Sequence, residues 1–237
     1  MTPSSPSRRP ARALLGLAVA VVLTTACHTI SEVAPDVGPS EERALSAATV
    51  TLLPERCQGV VVQDERHVLT ASHCLEAHER AVRVRLHDGR VLSAQVAHVD
   101  RPRDIAVLQL TEPSGVKPLQ VAPELPFPGS SLRFISQRHL PGVMQEVVLE
   151  RLGRCPSLPG TTALFTSLRG RPGDSGAPVV DLDLQVVGLV HGGAACRIAT
   201  PIAGLGSLLA SLGAEPAPER ARGPVRVARK APPRPRP

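Results

Sequence analysis

Three short segments of this 237-residue chain carry residue types that together can do nucleophilic chemistry. They are Leu69-Thr70-Ala71-Ser72-His73-Cys74, Arg103-Asp104-Ile105-Ala106-Val107-Leu108 and Gly173-Asp174-Ser175-Gly176-Ala177-Pro178. A serine hydroxyl is a weak nucleophile, so it needs a base that takes its proton as attack begins and returns it to the leaving group. His73 fits the base and Ser175 the nucleophile, while Asp104 can hold an imidazole in one tautomer and stabilise the imidazolium. The backbone N–H groups of Gly173 and Ser175 can converge on one developing oxyanion, provided that position 173 carries no side chain. Singly the signals are unequal. Gly-Asp-Ser-Gly is a common turn, Asp-Ile-Ala-Val-Leu is a strand start, and only Thr-Ala-Ser-His-Cys is distinctive by itself. Their weight comes from occurring together.

The order of the segments discriminates between folds. His before Asp before Ser is the chymotrypsin arrangement, whereas subtilisins run Asp, His, Ser and α/β-hydrolases Ser, Asp, His. On these three segments the chain resembles the trypsin/chymotrypsin family of serine endopeptidases over roughly residues 45–213. The resemblance implies an all-β fold of two antiparallel six-stranded β-barrels with a C-terminal helix. His73 and Asp104 would lie in an N-terminal barrel over 45–118, and Ser175 in a C-terminal barrel over 119–213. It also implies cleavage of peptide bonds through an acyl-enzyme, with no cofactor, and a protein or peptide as substrate. The chain's eight histidines are scattered without ligand spacing, so no metal site is expected from sequence.

Departures from the family pattern bear on specificity and activation. Six residues before Ser175, where trypsins place an aspartate, stands Arg169, which argues against cleavage after Arg or Lys. Arg169 either favours an acidic side chain, or swings into solvent and leaves a small apolar pocket, or is an exposed loop arginine. The run Gly188 to Cys196 aligns with the family's substrate-binding strand and puts His191 where a serine usually supports the aspartate. Three readings of His191 stay open: a hydrogen bond to Asp104, a pocket-lining role as in glutamate-specific bacterial relatives, or a tolerated strand residue. Gly192 and Gly193 leave the backbone free to pair with an extended peptide. No Ile-Val-Gly-Gly motif lies near residues 40–55, so the family's zymogen switch is not expected. Asp174 then needs a partner other than a freed N-terminus, an arginine such as Arg133 or Arg154, and activity would require no activating cleavage.

Five cysteines leave one over after pairing. The family's disulfide at the matching positions implies a Cys57–Cys74 bridge. Cys155 and Cys196 are expected to pair in the second half, although the usual partner position of the latter holds Arg171 here. Cys27 is the odd one. Arg8, Arg9 and Arg12, the apolar run Ala13 to Leu23 and the small residues Thr24-Thr25-Ala26 make residues 1–26 a secretory signal, too short to span a membrane. Its end resembles the lipobox of bacterial lipoproteins, in which the cysteine is acylated. That points to a lipid-anchored envelope protein, the alternative being ordinary cleavage near Ala26 with Cys27 free.

The elements that must position the site are short strands. Gly59–Val62 and His67–Thr70 flank a turn, Ala81–Leu86 alternates apolar and charged residues, and Asp88-Gly89 is a hairpin signal before Val91–Val99. Ile105–Leu110 follows Asp104, and the proline-bearing stretch Thr111–Pro128 is the expected crossover. Five more strands are expected at Ser131–Ile135, Gln145–Leu152, Thr161–Leu168, Ala177–Asp181 and Gln185–Val190, a spacing typical of all-β barrels. A closing helix over Ile202–Gly213 puts Leu205, Leu208, Leu209 and Leu212 on one face. Residues 27–44 read as a tether, and the Pro/Arg-rich tail 214–237 has no means of building a core.

Charge excludes a nucleic-acid partner. The 27 basic and 21 acidic residues give +6, but residues 1–26 hold +3 of this, and the tail, with seven basic and two acidic residues, holds +5. The remainder is near −2, and its only aromatic residues are Phe127, Phe134 and Phe165, so there is neither a basic patch nor a stacking platform. The basic tail suits an anionic envelope polymer or lipid instead.

Overall fold

The computed structural model describes residues 39–54, 57–137, 143–191 and 198–213. The signal-like segment, Cys27, Gly192, Gly193, Cys196 and the tail 214–237 lie outside them. Chain order begins with helix α1 (Pro39–Ala48) and strands β1 (Thr49–Leu53), β2 (Cys57–Val62), β3 (His67–Thr70), β4 (Ala81–Arg85), β5 (Val91–Asp100) and β6 (Ile105–Leu110). It continues with β7 (Ser131–Ile135), β8 (Met144–Cys155), β9 (Leu158–Thr166), β10 (Pro178–Val180), β11 (Val186–Val190), β12 (Ile198–Pro201) and helix α2 (Gly206–Gly213). Among the described residues the strands close into two six-stranded antiparallel barrels, β1-β2-β3-β6-β5-β4 and β10-β11-β12-β9-β8-β7. This is the chymotrypsin-like architecture that the segment order implies.

Successive side chains of a strand point to opposite faces, and the burial follows from what lies on each face. β4 faces its barrel core with Val82 and Val84 and water with Ala81 and Arg83, the alternation visible in its sequence. β2, β3, β6, β10 and β11 are instead buried along their whole length, apart from Gln109 of β6. In the first barrel Val61, Val68, Ala106 and Leu108 turn inward, while Val60, Val62, Leu69, Ile105 and Val107 turn outward. In the second barrel Val179 and Val187 turn inward, while Val180, Val186 and Leu189 turn outward. The outward residues of both barrels meet in one shared apolar layer. His73 follows β3, Asp104 precedes β6, Ser175 precedes β10 and His191 follows β11, so these four residues all sit beside the end of a strand in that layer.

Both helices pack on the same layer. Leu209 of α2 is fully buried and Leu205 nearly so, with Leu208 and Leu212 packed partly against them, the face expected from sequence. The helix is shorter than Ile202–Gly213, because Gly204 takes a left-handed φ of +84° and delays the first helical turn. β12 and β1 are two strands that the sequence reading does not single out. α1 occupies residues assigned mostly to the tether. Its apolar content is low, but Leu45 and Ala48 are fully buried, and Glu41 and Glu42 hold the Arg133 guanidinium and the Met144 N–H. Burying Leu45 alone contributes about 2 kcal/mol. The crossover Thr111–Pro128 contains no strand, only isolated bridges from Leu119 to Val62 and from Val121 to Val186.

Cys57 and Cys74 form a disulfide with Cα atoms 6.0 Å apart, tying the start of β2 to the turn after β3. Cys155 is disulfide-bonded, and its expected partner Cys196 lies outside the described residues. Closing a 17-residue separation contributes about 3 kcal/mol by chain entropy. Replacing Cys57 and Cys74 together by alanine should therefore lower the unfolding free energy by about 3 kcal/mol in a urea titration.

Candidate active site

His73 lies in a single 3-10 turn, Ser72–Cys74, directly after β3. Three fasteners hold the turn: the Cys57–Cys74 bridge, the Ser72 N–H donating to Asp104 O (3.2 Å), and the Arg101 guanidinium donating to the carbonyls of Ser72 and Leu75. No local motif marks Arg101 in the sequence, because its partners are backbone carbonyls 26 and 29 residues away. The His73 side chain is 41% exposed, open to a substrate on one side and anchored on the other.

Asp104 sits in a left-handed conformation with φ +54°, uncommon for any residue with a side chain, and is only 4% exposed. Its Oδ1 accepts the Ser72 hydroxyl (3.0 Å) and the His73 N–H (2.8 Å), and its Oδ2 accepts His73 Nδ1–H (2.8 Å). The same Oδ2 also accepts Nδ1–H of His191 at 2.5 Å. His191 thus makes the contact expected of the first of its three readings. The two imidazoles stand edge to face with centroids 5.3 Å apart, and the His191 side chain is 12% exposed. Burial pushes the Asp104 carboxyl toward a higher pKa, but the hydrogen bonds from His191 and His73 outweigh it and hold the group well below the usual carboxylate range. With the carboxylate ionised, each ring keeps its proton on Nδ1 and leaves Nε2 as a base.

Ser175 lies in the turn before β10, pinned from both barrels. Its carbonyl accepts the Gln58 N–H of β2 (2.8 Å), and the next residue, Gly176, donates to Val190 O of β11 (2.8 Å). Gly176 has φ +81°, and a Cβ there would stand 2.2 Å from Gln58 O, so only glycine fits. Gly173 has φ +97°, again a glycine conformation. Neither the Gly173 nor the Ser175 N–H has an acceptor among the described residues, which leaves two donors for an incoming oxyanion. The Ser175 hydroxyl donates weakly to His191 O at 3.4 Å, and among the described residues no hydrogen bond joins it to His73.

Asp174 is 2% exposed, and here the structure corrects the expectation of an arginine partner. Its carboxylate accepts Gln58 Nε2–H (3.2 Å), the Ser136 hydroxyl (2.5 Å) and the Arg171 N–H (2.8 Å), all neutral groups. Arg133 is instead committed to Glu41 of α1, and Arg154 is exposed on β8. Gln58 also donates to Gly173 O and accepts the Gln137 N–H, while the Gln137 amide reaches Ser46 of α1. The turn carrying Ser175 is therefore moored through a chain of amides to the N-terminal helix. Arg169 is exposed on the loop after β9, and no ion pair holds it among the described residues.

The model of the trypsin-like peptidase domain matches residues 57–189, more than half of the chain, and spans His73, Asp104 and Ser175. The chain belongs to the trypsin-like peptidase family. Among solved structures, the peptidase domain is similar to the inactive form of the Rv3671c protease (TM-score 0.57, 23% identity, 73% of this chain and 92% of that one). It is also similar to a serine-to-alanine mutant of Rv3671c from M. tuberculosis (0.53, 23%, 73% and 92%) and to Deg5 (0.55, 21%, 67% and 85%). At these identities the likeness is one of fold. No curated protein gives a significant match. Among the described residues, no helix is long and apolar enough to cross a membrane.

The Asp104 carboxyl makes a prediction about acid stability. Its folded-state pKa lies below the unfolded value of about 3.9, so its stabilising contribution is full above about pH 5 and fades as the pH falls below about 4. The melting-temperature difference between the parent and Asp104→Asn should be largest near neutrality and shrink below about pH 4 in a series of thermal scans.

Proposed function

We propose that this peptidase-family protein is a serine endopeptidase acting outside the cytoplasm, with Ser175, His73 and Asp104 as its catalytic triad. What carries the reading is the exposed His73 ring, fixed through Nδ1 on the buried Asp104 carboxylate, together with Ser175 in the turn before β10. In the reaction Ser175 Oγ turns from His191 O to His73 Nε2, a tightening common when substrate arrives. Oγ bonds to the scissile carbonyl carbon as its proton moves to Nε2, and the carbonyl oxygen, now negative, takes the Gly173 and Ser175 N–H groups. Collapse breaks the C–N bond, and His73 gives the proton to the leaving amine. Water then repeats the sequence on the acyl-enzyme.

An extended peptide suits this cleft better than a small ester, since Gly192 and Gly193 carry no side chains that would block backbone pairing. An exposed Arg169 leaves an acidic preference or a small apolar pocket as the specificity, and a basic preference is disfavoured. The neutral moorings of Asp174 support activity without an activating cleavage. Export, with Cys27 lipidated or Ala26 as the cleavage point, rests on residues 1–27 of the sequence. A second reading, a silent or latent binding module on the envelope, draws on one observation: the Ser175 hydroxyl engages His191 O rather than His73.

The test is cleavage of an unbiased peptide library by the purified protein, read by mass spectrometry. The parent should cleave without prior processing, and Ser175→Ala should lower the rate by a factor on the order of 10⁶. Equal cleavage by both proteins would reject the triad. Gln58→Leu removes the mooring of the Ser175 turn, and kcat should fall by up to about 100-fold with KM little changed.

A further inference from the structure

His191 brings a second imidazole nitrogen onto the carboxylate oxygen that already holds the first. Among the described residues one ring nitrogen each of His73 and His191 and an Asp104 carboxylate oxygen come within 4.8 Å of one another. One other group converges as tightly, Cys57, His73 and Cys74, but its two sulfurs are already spent on each other. We infer that His73, Asp104 and His191 form a divalent-metal site of zinc type, through which the free ion switches the peptidase off. The inhibitory half rests on His73 being the general base, as proposed above; the binding half does not.

Two imidazole nitrogens and one carboxylate oxygen are a donor set suited to zinc rather than to calcium or magnesium, which take oxygen ligands. Three protein ligands with a fourth position open to water is also how zinc is held in its exposed sites. The geometry needs little change. The two nitrogens now stand 2.8 and 2.5 Å from Asp104 Oδ2. Ligands on a tetrahedral zinc with bonds of about 2.0–2.1 Å stand roughly 3.3 Å apart, so each nitrogen withdraws from Asp104 Oδ2 by less than about 1 Å while the two rings adjust toward each other. His73, 41% exposed, has room to do so. Asp104 is already held from behind at Oδ1 by the Ser72 hydroxyl and the His73 N–H, the outer hydrogen bonds that orient a metal-binding carboxylate.

Protons balance without loss to solvent. Each neutral imidazole carries its proton on Nδ1 in the free protein, facing Asp104. On metal binding at Nδ1 that proton relocates to Nε2, and the ring stays neutral. His73 Nε2 is then a donor instead of an acceptor, so it has no lone pair for the Ser175 proton. Zinc thus disables the base without touching Ser175. A serine at position 191 would offer one hydroxyl and no nitrogen ligand, which is why the substitution of histidine there matters. The three ligands are separated by 31 and 87 residues, so no spacing rule reveals them in sequence.

Calorimetric titration of zinc chloride into the tag-free Ser175→Ala protein, with EDTA reversal, tests binding independently of activity. One equivalent should bind, and both His191→Ser and His73→Ala should weaken it by about 100-fold or more, since even outer-shell changes cost 10–100-fold. Having two variants guards against misfolding of one, and His98→Ser should bind as the parent does. In the active protein, peptide hydrolysis should fall over the same zinc range, and His191→Ser should lose that sensitivity relative to its own zinc-free rate. Zinc binding by both His191→Ser and His73→Ala equal to the parent, or no saturable binding at all, would overturn the site. Binding that depends on His191 in a protein that hydrolyses no peptide would uphold the site and sink the peptidase reading instead.

Discussion

The Asp104 carboxylate is the constraint on which the rest of the structure depends. A charge buried between two apolar barrels is tolerated only if nearly every lone pair is used, and four donors meet it: Ser72 Oγ, His73 N, His73 Nδ1 and His191 Nδ1. Three of these come from the turn after β3 and one from the end of β11, so the carboxylate joins the first barrel to the second. Satisfying the charge and orienting the His73 ring are therefore one event. The uncommon φ of Asp104 is what aims its side chain at all four donors.

A second buried carboxylate, Asp174, organises the other half of the site by different means. In place of a cation it receives an amide, a hydroxyl and a backbone N–H, and the amide of Gln58 reaches from the first barrel into the turn that carries Ser175. Through Gln137 and Ser46 the same network reaches α1. The N-terminal helix thereby contributes to the shape of the Ser175 turn through neutral hydrogen bonds, while its Glu41 pairs with Arg133, a cation that is itself buried.

Most of the architecture was legible in the sequence because the barrels impose two readable patterns. Strands with one wet face alternate, as in Ala81–Arg85, and strands between the two cores read as unbroken apolar runs, as in Gly59–Val62 and Ile105–Leu108. α1 escaped because its stability is tertiary: two glutamates and one buried leucine hold it, and no periodic apolar face announces it. The triad candidates were legible because each lies in a local motif. The contacts that position them were not, since Arg101, Gln58 and Gln137 act through partners that only the fold brings near. The arginine expected beside Asp174 failed for the same reason: a buried carboxylate needs donors, and donors need not be charged.

The most direct test of the account is covalent labelling of the purified protein with a fluorophosphonate, followed by mass spectrometric location of the adduct. An assembled Asp104–His73 pair beside a reachable Ser175 predicts one adduct, on Ser175, formed without prior cleavage and abolished in His73→Ala. A folded, disulfide-bonded protein that stays unlabelled would contradict the claim that these three segments form a working nucleophile.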